Sequence, residues 1–325
     1  MAIQWPLLIF SVLLGITGGI FVFLGAGELK GKFKEVRFIG ALIALACLAV
    51  GGCVSVLHMG HPERATHLLG NFGSGLSKEL LVVALMGIVS LVYVVLAKKD
   101  YPGASKVFGI LGAVLGLVLP VVAGASYLIA ARPAWDSAAL PLMYLGAGLA
   151  MGALLMCGLV LLRGNAKEDG GFALRIALAA VVIMAVTSVA YVVWIAIAPY
   201  QAPSRSIERL LAGDLAVMFW LGVVLVGLAA PMALTALACV KSTKGDAGSG
   251  LADPKKLAAF MFAAFACSVV GAVCLRVIMY GVGTSVESFI LLAMPRGGRC
   301  RYVASPAPAK VRANHAASAP PVTEP

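Results

Sequence analysis

Charge is what this sequence has least of. Only 12% of its 325 residues are Asp, Glu, Lys or Arg and 61% are hydrophobic, whereas a soluble domain has about 25% charged and about 45–50% apolar residues. Too little polar surface is available to cover a water-facing domain, so the composition is that of an integral membrane protein. Clustered thiols are also missing. No C-x-x-C occurs, and Cys47, Cys53, Cys157, Cys239, Cys267 and Cys274 lie inside apolar runs, with only Cys300 outside them. Iron–sulfur clusters and structural zinc need grouped thiolates, so neither is expected here, and the cysteines read as small apolar side chains. Histidine is absent from every apolar run interior, which excludes a haem held by two histidines between helices. Ionisable residues are nearly absent from the middle of those runs. Transporters and proton pumps place such residues there, which weakens a solute-transport reading. The net charge of +11 is scattered over short loops, a pattern that sets membrane orientation and gives no reason to expect nucleic acid.

What is abundant is long apolar sequence. A spanning helix needs roughly 20 apolar residues, and eight such runs occur, at about 5–27, 38–57, 79–97, 106–130, 139–162, 172–198, 213–240 and 256–281. The fold class expected is all-α: a polytopic membrane protein with eight transmembrane helices in the lipid bilayer. The first run has no basic leading region and is too long for a signal-peptide core, although "GAG" at 25–27 is faintly cleavage-like. The first four and last four runs each begin near a Pro-Leu ("WPLLIF", "LPLMYL"). Two four-helix bundles fit that repeat, as does the general likeness of all apolar helices. Residues 1–285 form the membrane domain, and 286–325, rich in Pro and Ala without periodicity, are expected to be a disordered tail.

Lys and Arg divide unevenly between the two sides. The loops after odd-numbered runs carry Lys30, Lys32, Lys34, Arg37, Lys98, Lys99, Lys106, Arg163, Lys167, Arg175, Lys241, Lys244, Lys255 and Lys256, and the opposite loops only Arg64, Lys78, Arg132, Arg205 and Arg209. The positive-inside rule makes the first set cytoplasmic, so both termini are expected outside. At 1.5 Å per residue, His58, Glu79, Arg132, Trp135, Asp136, Asp214 and Arg276 then fall at one level, the outer boundary.

The stretch "HMGHPERATHLLGNFGSGLSKE", residues 58–79, holds three of the four histidines. His58 ends the second run. It is either an interfacial cap or a group that hydrogen-bonds a quinol hydroxyl, since imidazole accepts a proton near neutral pH. Glu79 follows Ser77, a good N-cap, in what reads as a first helical turn. There it either complements the helix dipole or accepts and relays protons. Arg276 is embedded in the last run and either snorkels or pairs with a carboxylate, Glu79 and Asp214 being the candidates. His58, His61 and His67 make a poor metal site because Gly60 and Pro62 break the helix that would align them. Pro62 suits the first position of a short interfacial helix, "PERATHLL". Arg64 reads as a contact to lipid phosphate or a partner.

The opening "WPLLIFSVLLGITGG", the segment "SVLHMGHPERA" followed by "LSKE", "ARPAW" and the Arg276-x-x-x-Tyr280 spacing together resemble the membrane-anchor subunits of the dimethyl sulfoxide reductase family, over about residues 3–285. The resemblance implies a subunit that holds a molybdopterin catalytic subunit and a four-cluster, ferredoxin-like iron–sulfur subunit at the bacterial inner membrane. It also implies oxidation of menaquinol without haem, iron–sulfur cluster or metal of the chain's own. By the same resemblance His58 matches the quinol-site histidine, Glu79 a nearby acid and Arg276 a further quinol-site residue; Arg64 is added to these as a candidate quinol contact. The alternatives are the anchor of a polysulfide- or nitrite-reductase-type complex, a structural anchor without a quinone site, and a solute transporter.

Overall fold

The computed structural model of the chain describes residues 3–56, 75–132, 134–197, 201–243 and 253–283, and the side chains of all of these except 201–205 and 243. Among them are nine α-helices and no strand: α1 Trp5–Lys30, α2 Arg37–Val56, α3 Gly75–Lys99, α4 Pro102–Ala125, α5 Ala139–Arg163, α6 Ala166–Ile197, α7 Gln201–Leu211, α8 Ala230–Thr243 and α9 Pro254–Val282. A π-helical stretch, Met218–Ala229, runs directly into α8. Counting that pair as one rod, eight helices are long and apolar enough to cross a bilayer. The chain is a multi-pass membrane protein of the expected all-α class.

Proline and glycine punctuate the rods as their backbone limits require. Pro stands in the first turn of α1, α4 and α9, where its missing N–H costs nothing. Gly31 closes α1 in the left-handed conformation with φ 66°, which glycine adopts without strain. Several boundaries differ from the sequence expectation. α3 is already helical at Gly75, so Ser77 is buried inside it and Glu79 lies in its second turn. The helix therefore does not use Ser77 as its cap. α4 begins four residues early at Pro102 and ends at Ala125. The segment before the seventh rod holds α7, which hydropathy alone does not reveal because it is short and polar.

The rods form two closed rings. α1 packs on α2, α2 on α3, α3 on α4 and α4 on α1. In the second ring α5 packs on α6, α6 on α8, α8 on α9 and α9 on α5. The rings share a seam between α1 and α5. These two helices are central: 78% and 83% of their most apolar windows are buried, against 22–39% in the other six. Gly15 and Gly19 on α1 meet Gly148 and Gly152 on α5, and a Cβ on Gly19 or Gly152 would run into the opposing backbone. Small residues four apart let membrane helices approach this closely. The two four-helix bundles suggested by the Pro-Leu repeat are thus joined by a glycine seam.

One end of the molecule carries the Lys/Arg-rich turns. There Arg37 bonds Glu28 at 3.1 Å and Asp100 at 3.0 Å, and the Tyr93 hydroxyl donates to Glu28 at 2.7 Å. Lys32 bonds Asp169 at 2.9 Å. The opposite end gathers the start of α3, the end of α4, the segment 126–138, α7 and the end of α9.

Candidate functional site

That opposite end holds a buried line of polar and aromatic groups. It begins at Glu79, only 8% exposed. Position 79 sits on the inward stripe of α3 with Met86, Val89, Ser90 and Tyr93, which turns its carboxylate toward α4. Ser126, just past the end of α4, donates from its hydroxyl to Glu79 Oε2 at 2.9 Å.

Tyr127 is next. Its hydroxyl lies 3.0 Å from that of Tyr280, and its ring stands edge-on to Tyr280 at 6.0 Å and to Trp135 at 5.9 Å. Tyr144 is 6.0 Å away, ring centre to ring centre. Burial pushes the Tyr127 phenol well above the ordinary phenol range, and Tyr144, Tyr280 and the Glu79 carboxylate push the same way. Tyr127 therefore keeps its proton and is able to donate a hydrogen bond.

Arg276 completes the line. It is 1% exposed, with its guanidinium 4.3 Å from the Tyr144 ring centre. Nε donates to Ser11 Oγ at 2.9 Å, Nη1 to the Ala272 carbonyl at 3.2 Å and Nη2 to the Ser11 carbonyl at 3.4 Å. No carboxylate among the described residues bonds it. Asp214 is instead gripped by Arg209, with Nε to Oδ1 at 2.9 Å and Nη2 to Oδ2 at 2.6 Å. Those two bonds hold the Asp214 carboxyl below the usual carboxylate range and raise the Arg209 guanidinium further. Glu79 takes Ser126. Neither carboxylate considered from sequence is bonded to Arg276.

A buried guanidinium with no carboxylate bonded to it among the described residues has lost its hydration and recovers little of it from an aromatic face and neutral acceptors. Such a group attracts negative charge. The same cluster holds a carboxylate able to take a proton, Glu79, and a phenol able to donate a hydrogen bond, Tyr127. The arrangement suits a ligand that loses protons and becomes electron-rich as it reacts.

Of the residues singled out in sequence, Glu79 and Arg276 thus join one cluster, bridged by Ser126, Tyr127 and Tyr144. At 1.5 Å per residue they lie about 6 Å and about 9 Å inside their helix ends, somewhat deeper than the boundary level expected. Arg132 and Trp135 rim the cluster, whereas Asp136 and Asp214 are exposed. His58, His61, Arg64 and His67 lie outside the described residues, as does the tail 286–325. Among the described residues no group of three or more His, Cys, Asp or Glu is placed to hold a metal ion. Ser11, Ser126, Tyr127 and Tyr144 were missed in sequence. Tyrosines near span ends read as interfacial belt residues, and only Tyr280, one turn after Arg276, carried a spacing signal.

Residues 1–248 match the family model described as "Polysulphide reductase, NrfD". The sequence is 32% identical to the C subunit of the anaerobic dimethyl sulfoxide reductase of Escherichia coli K12 over 122 residues, 35% of this chain and 42% of that protein. It is 28% identical to the protein of the same name from Haemophilus influenzae over 141 residues, 42% of this chain and 50% of that protein. The matched regions span about half the length of these curated relatives.

Proposed function

The chain belongs to the polysulphide reductase NrfD family, and from that premise we propose that it is the membrane anchor of a molybdopterin oxidoreductase complex of the dimethyl sulfoxide reductase type, oxidising menaquinol at the end of the bundle whose polar cluster holds Glu79 and Arg276. The observation that carries this reading is Arg276 itself: a fully buried positive charge with no carboxylate bonded to it among the described residues, facing the same aromatic cluster as a buried acid.

Oxidation of a quinol releases two protons and two electrons. Glu79 accepts one proton, with Ser126 orienting its carboxylate. His58 is assigned the other hydroxyl on the family resemblance, and Arg64 is kept as a candidate quinol contact. Tyr127 and Tyr280 offer hydroxyls to the substrate oxygens. Arg276 stabilises the negative charge that develops on the oxygen after the first deprotonation, the kind of preorganised electrostatics that lowers barriers most. The electrons leave for the nearest cluster of a docked four-cluster iron–sulfur subunit and from there reach the molybdopterin subunit. The distribution of Lys and Arg orients this end, and both termini, to the outside of a bacterial inner membrane, so the protons are released outside.

A second reading keeps the architecture and changes the partners. The family description names polysulphide reductase and matches more of the chain than either curated relative does. Co-purification from native membranes decides between them by the acceptor that the attached catalytic subunit reduces. The site itself is tested by Glu79→Gln and His58→Ala in the assembled complex, following quinol-dependent reduction of the partner's clusters. A loss of at least about 100-fold is expected for loss of a general base. Wild-type rates in both variants would remove the site.

A further inference from the structure

The last turn of α9 is fastened entirely from outside. A helix ends with four carbonyls that its own backbone cannot satisfy, and α9 has no basic residue in its last turn to complement them. Trp135 Nε1 donates to the Met279 carbonyl at 2.7 Å. Arg209 Nη1 donates to the Gly281 carbonyl at 2.8 Å, and Ser206 Oγ to the Val282 carbonyl at 3.1 Å. Arg132 Nη1 donates to the Gly283 carbonyl at 2.6 Å. Two of these donors come from the segment joining α4 to α5 and two from α7. The two guanidiniums also place positive charge at the negative end of the helix dipole.

Both arginines are themselves held. Arg132 lies over the Trp135 ring at 4.5 Å. Arg209 is bidentate to Asp214, at the foot of the π-helical rod. Trp135 in turn stands edge-on to Tyr280 and Tyr127, at 5.9 Å from each. Arg276 and Tyr280 are one turn apart on the face of α9 that meets this cluster, so they move as a unit. A slip of one residue along the axis, about 1.5 Å, would break these bonds and part the 3.0 Å contact between Tyr127 and Tyr280.

We propose that Arg132 and Arg209 are positioning residues for the quinol site: by bonding the terminal carbonyls of α9 they set the height at which Arg276 and Tyr280 meet Tyr144 and Tyr127. The inference rests on the quinol reading above. It assigns a role in binding geometry to two charges that touch no substrate.

The test is steady-state oxidation of a short-chain naphthoquinol by the intact complex in membranes, normalised to assembled enzyme, with the KM of the terminal acceptor measured in parallel. Arg132→Ala and Arg209→Ala are expected to lower kcat/KM for the naphthoquinol about tenfold or more, chiefly through KM, since misplacement by about 1 Å is enough for such losses. The KM of the terminal acceptor stays at its wild-type value. Arg209→Lys should fall between, because an ammonium replaces the fork with a single point charge, and Asp214→Asn should raise the quinol KM about twofold by loosening that fork. A purely structural cap would lower the amount of assembled enzyme and leave the quinol KM alone, and that result overturns the proposal. If the alanine variants do not assemble, wild-type quinol KM in both Arg209→Lys and Asp214→Asn overturns it equally. Glu79→Gln in the same assay separates the two levels. Unchanged oxidation there and in His58→Ala removes the quinol reading, whereas its loss alongside wild-type KM in the arginine variants removes only the positioning role.

Discussion

The Arg276 guanidinium lies 4.3 Å from the centre of the Tyr144 ring, and its Nε bonds Ser11 at 2.9 Å. Ser11 comes from α1 and Tyr144 from α5, the two helices of the central seam, and Arg276 reaches them from α9. A structural role alone accounts poorly for this choice, because a buried charge costs several kcal/mol even when it is well bonded.

Arg276→Met follows from that imbalance. The apolar side chain fills most of the same volume and abolishes the desolvation cost. Its thermal stability should match or exceed wild type, while quinol oxidation falls by about 100-fold as the stabilisation of developing charge is lost. Thermal unfolding of the purified complex and turnover on the same sample check this. Stability and activity falling together would show that the guanidinium holds the seam and nothing more.

How much of this was legible beforehand divides along physical lines. Eight rods, their order and the uneven Lys/Arg distribution follow from apolar runs and loop charge, which act along the chain. The pairing of Gly15 and Gly19 with Gly148 and Gly152 does not, because 37 glycines in the sequence offer many equivalent stripes. Glu79 and Arg276 stood out as rare charges in apolar surroundings. Their partners did not, because a serine or tyrosine near a helix end is common and only three-dimensional packing brings residues 11, 126, 127, 144 and 276 together. Expecting a carboxylate beside Arg276 applied the usual rule for buried cations. Among the described residues the partners of Arg276 are an aromatic face and neutral oxygens, and Asp214 is committed to Arg209.

Asp214 supplies a prediction in pH. Its carboxyl lies below the ordinary range because Arg209 donates to both oxygens. A depressed folded value means that the pair stabilises above the unfolded carboxylate value, about 3.9, and that this contribution is lost as pH falls through the lower folded value. Asp214→Asn should therefore unfold at a slightly lower temperature than wild type near neutral pH, by at most about 2 °C for so exposed a pair. The two proteins should converge once the pH falls below the lowered folded value. Thermal unfolding in detergent across that range measures it, and a gap that persists undiminished in acid would contradict the assignment.

At the opposite end, Glu28 and Arg37 form a pair whose side chains are 7% and 5% exposed, with Tyr93 donating to the same carboxylate oxygen. Breaking such a pair from one side leaves a bare charge in the bundle. Arg37→Gln or Glu28→Gln should each destabilise by about 3–5 kcal/mol. Replacing both with methionine should cost far less than the sum, since neither charge is then stranded. Asp100, whose side chain is 80% exposed, contributes to Arg37 from the surface, and Asp100→Asn should cost less than about 1 kcal/mol. Because this network sits a full bundle length from Glu79, none of the four variants should change the quinol KM of the enzyme that does assemble. Chemical unfolding of the single and double variants, paired with quinol kinetics, tests both halves. Additive losses in the double variant would mean that the two side chains are not coupled, and an altered quinol KM would mean that the two ends communicate through α1 and α3.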